Sequence, residues 1–361
     1  MPSIAAQAAE TSPPGFGELA RDFTYAADGA YQYSFGAAAG RWTVLMFFGS
    51  LAQAPSLRAM QLVLSRRHPF NGQDAAFYGV SQDPADRARG LADTDPALCF
   101  VWDLDRAIAR LYGVADDKAL WPAVFLIDPM FRIVSAQSIE RAGEILDRLQ
   151  QELAKAATDA SVAPVLVAPR IFEPQLCAAL IDYYRQGAPK PSGFAMTRDG
   201  RTVEQVDPML KRRRDVFIER ADLIGAVRRR LEMRLFPMIK RSFGWQAQHI
   251  ERFLICRYAA EDHGFFVAHR DDVTAGSAHR KFAVSVNLNA EDHDGGDLRF
   301  PEFGRRTYRP PTGGAAVFSC NLLHEATPVT RGERFVVVPF LYDAAGATLR
   351  QANLALVDFP A

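Results

Sequence analysis

Apolar and polar positions change period along this chain, and the change predicts two kinds of layer. Residues 42–48 form an almost unbroken apolar run, the mark of a strand buried on both faces. Residues 55–65 follow at helical spacing, opened by Pro55, whose missing N–H is harmless in a first turn. Residues 76–81 read as a second strand, a helical stretch starts at Pro84, and 105–112 is a short helix ending at Gly113. Residues 123–127 and 132–136 are strands around the turn Asp128-Pro129-Met130-Phe131, and 141–155 is a closing amphipathic helix. Strands separated by helices predict an α/β domain.

A small, polar, proline-ended linker is expected at 156–164. Beyond it come a helix at 174–186 and an arginine-rich helical region at 219–242, interrupted near Pro237. From Ile250 the pattern shortens to β-runs at 250–259, 265–270, 281–288, 297–300, 315–319 and 334–341, with Gly295-Gly296 and Gly313-Gly314 at turns. Helices followed by many strands predict a double-stranded β-helix (jelly roll) with supporting helices. The domains are therefore 1–155, the linker 156–164, 165–345, and a C-terminal tail at 346–361.

Composition narrows the function classes. A chain of 361 residues exceeds one ordinary core, which agrees with two domains. Lys+Arg and Asp+Glu both total 42, so no global field draws the protein to nucleic acid or anionic membrane. No apolar run approaches transmembrane length, and residues 1–14 lack the basic start and apolar stretch of a secretory signal. The cysteines Cys99, Cys177, Cys256 and Cys320 are scattered, with no Cys-x-x-Cys pair, which predicts reduced thiols in the cytoplasm.

The chemistry concentrates in His269-Arg270-Asp271. On a strand, positions i and i+2 share a face, so His269 and Asp271 can converge on one point. His324, from another strand, would complete a set of two histidines and one carboxylate, which holds Fe(II) on one face and leaves other positions open. Arg334, in an apolar strand-like run, could aim a fixed cation into the same cavity to hold a dicarboxylate that chelates the iron. His263 reads as a solvated loop residue, while His279 and His293 fall in polar, turn-like segments and are left unassigned.

Arg257-Tyr258, Phe266, His269-x-Asp271, Leu288-Asn289, Gly295-Gly296-Asp297-Leu298, His324 and Arg334 together resemble the prolyl 4-hydroxylase-like Fe(II)/2-oxoglutarate-dependent dioxygenases, over about residues 165–345. The resemblance implies iron ligands His269, Asp271 and His324, with Arg334 on the distal carboxylate of 2-oxoglutarate and Tyr258 adding a hydrogen bond to it. It implies Fe(II), 2-oxoglutarate and O2 as reactants, with ascorbate as an accessory reductant and no separate catalytic acid or base. The expected reaction is hydroxylation of a C–H bond, most plausibly on a prolyl or related side chain of a peptide or protein, with 2-oxoglutarate decarboxylated to succinate. Small-molecule and nucleic-acid substrates stay open, the latter through oxidative demethylation, as does a non-catalytic binding scaffold.

Residues 42–48, Gly79-Val80-Ser81-Gln82-Asp83-Pro84, 103–113 and Trp121-Pro122-Ala123-Val124-Phe125-Leu126-Ile127-Asp128-Pro129 resemble the peroxiredoxin branch of the thioredoxin-like fold. The resemblance puts a peroxidatic cysteine just after the first central strand. Here Gly49-Ser50-Leu51-Ala52-Gln53-Ala54-Pro55 has Ala54 in its place, and alanine forms no thiolate. Cys99, before the run Phe100-Val101-Trp102, reads as a small buried hydrophobe. The first domain is expected to be redox-inactive, presenting substrate or building a homo-oligomer.

Lys211-Arg212-Arg213-Arg214 and Arg228-Arg229-Arg230 concentrate positive charge. The favoured reading is a solvated helix face balanced by Asp215, Glu219 and Glu232; the alternative is a cationic lip for an acidic peptide or nucleic acid. The run from Phe335 to Tyr342 has no second arginine of the kind nucleic-acid dealkylating oxygenases carry, which disfavours that substrate. Loops at 192–207 and 261–264 are expected to shape specificity.

Overall fold

The apolar run at Trp42–Gly49 is buried from Thr43 onward and forms the centre of a five-stranded sheet. The computed structural model describes residues 12–26, 32–89, 91, 97–156 and 161–358. They divide into two units, one up to Ser161 with Pro301–Gly304, the other Val162–Phe300 with the residues from Arg305 on. The linker expected at 156–164 lies partly outside the described residues, at 157–160, as does the N-terminal stretch 1–11.

In the first unit the strand order is Leu98–Trp102, Ala75–Ser81, Trp42–Gly49, Ala123–Ile127, Ile133–Ser138. The first three strands run parallel and the last two pair antiparallel, which is the thioredoxin-like arrangement. Alternation along the central strand separates two cores. Val44, Met46 and Phe48 pack against Met60, Val63 and Ile145 of the helices Ala54–Ser65 and Ala142–Ala156. Leu45 and Phe47 face Phe35, Tyr112 and Phe125 on the other side. Cys99 lies within its strand rather than before it, opposite Tyr78, and is half-buried.

In the second unit two sheets form the jelly roll. The larger runs in the order His249–Glu251, Phe340–Tyr342, Phe282–Asn287, Glu333–Val337, Leu254–Ala259, Arg214–Phe217, Lys190–Pro191, with Ala315–Ser319 also paired to Phe282–Asn287. The smaller runs Lys211–Arg212, Phe265–His269, His324–Ala326, Leu298–Arg299, Thr307–Tyr308. Phe335 and Val337 face outward onto Leu180, Leu231 and Leu235 of the helical layer, whereas Val336 turns inward with Cys256 and Tyr258. The supporting helices are Pro174–Gln186, Ala221–Arg230 and Phe236–Phe243. Pro237 does not break the arginine-rich region: a π-helical turn at Leu231–Leu235 absorbs it and the helix continues.

Three expectations change. The segment 192–207 holds a hairpin, Phe194–Arg198 with Arg201–Gln205, in place of a loop. Residues in the expected tail form the helix Ala344–Asn353, capped by the Asp343 side chain. Lys211–Arg214 is not a helix face: Lys211–Arg212 and Arg214–Phe217 are strands. Among the described residues no helix is long and apolar enough to cross a membrane.

Candidate metal centre

His269 ends the Phe265–His269 strand and His324 begins its antiparallel neighbour, where the two are direct partners in the register. Asp271 falls just past the strand end, so the i, i+2 geometry of an extended chain is completed by a turn. That turn is fixed by the Asp271 N–H, which donates to the Cys320 carbonyl at 2.9 Å. One ligand atom from each of His269, Asp271 and His324 lies within 4.8 Å of the others.

Both rings are aimed by their own backbone. His269 Nδ1 is 2.8 Å from the Val267 carbonyl and His324 Nδ1 is 2.9 Å from the Leu322 carbonyl. A carbonyl only accepts, so Nδ1–H donates in each ring and Nε2 is the atom turned toward Asp271. Those Nε2 atoms stand 3.5 Å and 3.3 Å from the Asp271 carboxylate oxygens. Burial, with His324 alongside, lowers the His269 pKa to about 4, so the ring is neutral at physiological pH. Burial opposes ionisation of Asp271, but His324 and His269 outweigh it and hold the carboxyl well below its ordinary range. Two imidazoles and one carboxylate are the donor set that suits Fe(II) with positions left open.

Arg334 is buried, and its guanidinium is held by neutral groups only. Nη2 donates to Ser285 Oγ at 3.0 Å and to Asn287 Oδ1 at 3.3 Å. The guanidinium lies 5.5 Å from the centre of the Tyr258 ring. No carboxylate is in ion-pair reach of it among the described residues, so it remains available to an anion. Gly296, at φ 70°, sits against it: a Cβ there would meet Val329 Cγ2 at 2.7 Å and Arg334 Cδ at 3.1 Å. Asn289 pins the Arg334 strand by donating to the Glu333 carbonyl and accepting from the Phe335 N–H.

Other expected residues fall outside this centre or change role. His263 is exposed. His293 is buried with Nδ1 on the Gly295 carbonyl. His279 is buried and bonded at 2.6 Å to Glu251, which also pairs with Arg280 at 2.8 Å. Arg280 in turn reaches the Asp271 carbonyl at 3.4 Å, so this network braces the ligand turn. Arg257 binds Glu261, Asp262 and Glu333, which fixes the 261–264 loop. On the helix, Arg228 pairs with Glu232 and Arg230 with Glu173, as a solvated face requires.

Lys211 and Arg213 were the residues hidden from a pattern reading. Lys211 is 6% exposed, and the Arg213 side chain is 7% exposed and pairs with Asp215 at 2.6 Å. Neither belongs to an exposed cationic lip. The signal was the period-two spacing of Lys211, Arg213 and Asp215 before Val216-Phe217, which marks a strand facing a polar interior.

In the first unit, Ala54 opens the helix after the central strand and is exposed. Ser50 Oγ donates to Asp83 at 2.6 Å, and buried Asp86 accepts from Leu51 N and Ser81 Oγ. This network occupies the turn just before Ala54, the position at which the peroxiredoxin resemblance puts a thiol.

Comparisons with known proteins divide the chain in the same way. Residues 253–342 match the family model of the 2OG-Fe(II) oxygenase superfamily, and residues 16–136 that of the AhpC/TSA family. A PKHD-type hydroxylase of Shewanella frigidimarina is 40% identical over 63 residues, covering 17% of this chain and 28% of the relative's length. The chain thus spans little more than a quarter of that curated relative. A Pseudomonas putida prolyl-4-hydroxylase structure is 18% identical, covering 52% of this chain and 97% of that one, with a TM-score of 0.39. The bacterioferritin comigratory protein of Xanthomonas campestris is 22% identical, covering 38% of this chain and 96% of that one, with a TM-score of 0.33. Residues 16–136, in the first unit, are thus similar to the AhpC/TSA family, and residues 253–342, in the second, to the 2OG-Fe(II) oxygenase superfamily.

Proposed function

We propose that this protein is an Fe(II)- and 2-oxoglutarate-dependent dioxygenase that hydroxylates an unactivated C–H bond, on a prolyl or related side chain of a peptide or protein. The observation that carries the reading is the convergence of His269, Asp271 and His324, in a unit whose buried Arg334 has no carboxylate partner among the described residues. His269 Nε2, His324 Nε2 and the Asp271 carboxylate would hold the metal. Bound there with 2-oxoglutarate and dioxygen, iron supplies the oxidising power for hydroxylation, as 2-oxoglutarate is decarboxylated to succinate.

The chain's own residues do the positioning. Arg334 receives the distal carboxylate of 2-oxoglutarate, and Ser285 and Asn287 keep its guanidinium aimed. Tyr258 is buried beside it and offers its hydroxyl to the same carboxylate. Phe266 stacks on His269 at 3.5 Å and Phe318 lies 4.6 Å from His324, which restricts water around the ligands. No side chain is needed as acid or base, and ascorbate would serve only to keep the iron reduced.

The prolyl preference draws on the PKHD-type and prolyl-hydroxylase likenesses, and the peptide preference on a Trichoplax adhaerens prolyl hydroxylase determined with a peptide fragment. Four cysteines without a disulfide support a reducing compartment, the cytoplasm. The first domain, with Ala54 in place of a thiol, acts as a redox-inactive module for substrate presentation or homo-oligomer assembly. The test is incubation of the iron-loaded protein with 2-oxoglutarate and, in parallel, a prolyl peptide panel or methylated nucleic acid. Gain of one oxygen atom in a peptide, matched by succinate, is expected; succinate with modified nucleic acid instead would redirect the reading to oxidative demethylation.

A further inference from the structure

Lys211, Arg213, Arg280 and Arg334 bury their side chains in the second unit; Arg213 pairs with Asp215 and Arg280 with Glu251, whereas Lys211 and Arg334 have no carboxylate in ion-pair reach among the described residues. In the function proposed above, one carboxylate of 2-oxoglutarate faces the metal and the other faces Arg334. None is left for Lys211.

Lys211 stands opposite Phe266 in the smaller sheet, with Nζ 4.5 Å from the centre of that ring. The same ring stacks on His269, so the lysine shares the inner face of the metal ligands and lies one strand away. Its 6% exposure matches that of His324 at 5% and Arg334 at 3%, residues a small ligand must reach. An ammonium has three donors, and Lys211 uses one, to the Gly193 carbonyl at 2.6 Å.

The nearby carboxylate of Asp215 is engaged through one oxygen and lies beyond ion-pair distance of Lys211. Asp215 accepts from Arg213 and from Ser192, both at 2.6 Å. Among the described residues Arg213 Nε and Asp215 Oδ1 also lack a hydrogen-bond partner, so further buried polar atoms near Lys211 are unsatisfied. The face of Phe266 alone does not replace the hydration that a buried ammonium loses. Burial, with Arg213 close by, accordingly depresses the Lys211 pKa well below its ordinary value, and an arriving carboxylate would restore the charge.

We propose that Lys211 determines specificity by receiving a carboxylate of the primary substrate, so that the enzyme takes an acidic peptide: one with an Asp or Glu side chain, or its C-terminal carboxylate, beside the hydroxylated residue. The proposal rests on the dioxygenase reading of the same site. Arg334 serves the co-substrate and Lys211 serves the substrate, which divides two buried cations between two anions.

The test uses the full chain with Fe(II) and 2-oxoglutarate, without oxygen, titrated with four pools of degenerate prolyl peptides. The pools carry Asp/Glu or Asn/Gln beside proline, each with a free or an amidated C-terminus. Binding is read as a shift of the iron-to-2-oxoglutarate charge-transfer band, and turnover afterwards as succinate. At least tenfold tighter binding of an acidic pool is expected, and the amidated pools tell a side-chain carboxylate from a terminal one. Lys211→Met should erase the preference while the band with 2-oxoglutarate alone persists, and Lys211→Arg should restore much of it. Equal responses from all pools, no response from any, or a preference retained in Lys211→Met overturns the proposal. If Lys211→Met does not fold, the four pools on the wild-type protein decide. Absence of the band before any peptide is added defeats the dioxygenase reading itself, and the proposal with it.

Discussion

His269 and His324 face each other as register partners across two antiparallel strands, with ring centres 4.3 Å apart. The pairing makes the candidate metal centre a property of the sheet, because the ladder that holds the strands together also sets the spacing of the two histidines. Each ring is tied to a carbonyl two residues before it, so the ligand geometry is in place before any ion arrives.

Replacing Arg334 should act on the co-substrate. Its loss removes a charge-assisted pair worth roughly 1.5–3 kcal/mol, which corresponds to a rise of about ten- to a hundredfold in the 2-oxoglutarate requirement. Initial-rate measurements of succinate formation against 2-oxoglutarate concentration check this for Arg334→Ala. An unchanged requirement would move the anchor to another residue.

Gly296 should be intolerant of a side chain. Alanine there must keep φ near 70° and press against Val329 and Arg334. We expect Gly296→Ala to lose about 1–2 kcal/mol of stability and to raise the 2-oxoglutarate requirement. Urea unfolding together with 2-oxoglutarate titration measures both, and a variant with neither change would contradict the close approach.

Glu251 carries an acid-dependent share of stability. Burial opposes its charge, but His279 and Arg280 prevail and hold its pKa at about 2, below the ordinary 4.5. A depressed carboxyl pKa contributes stability above the unfolded-state value, and that contribution is lost as pH falls from about 4.5 toward 2. At pH 7 the share is on the order of 3 kcal/mol. Wild type should therefore be more stable than Glu251→Gln at pH 7, and the gap should narrow markedly by pH 3. A gap independent of pH in urea unfolding would remove the ion network from the account.

The first domain should stay silent toward peroxide. Ala54→Cys restores a thiol at the helix start, but Asp83 and Asp86 dominate the adjoining turn and disfavour a thiolate. A peroxide-consumption assay with a dithiol reductant should show no turnover above wild type. Rapid consumption would show that the missing thiol alone had silenced the domain.

The apolar runs of both domains were legible in the sequence because burial on a sheet leaves a period that survives without coordinates. The convergence of His269, Asp271 and His324 was legible because few unrelated constraints produce that order, and the burial of Arg334 because it lies in an apolar run. The hairpin at Phe194–Arg198 and Arg201–Gln205 was not, since polar residues on a short exposed ribbon give no apolar alternation. Lys211 and Arg213 were misread for a related physical reason. A pattern reading assigns charge to the surface, yet this segment buries Lys211, Arg213 and Asp215. Asp271 shows the opposite case: its strand ends sooner than expected, and a backbone bond to Cys320 brings the carboxylate to the same place.

The central claim is that His269, Asp271 and His324 hold iron while Arg334 anchors 2-oxoglutarate beside it. Its most direct test is visible absorption of the purified protein with Fe(II), kept free of oxygen, before and after adding 2-oxoglutarate. A charge-transfer band should appear in the wild type and be absent from His324→Ala, with both proteins folded by circular dichroism. A folded wild type that shows no band, or a His324→Ala variant that keeps it, would contradict the account.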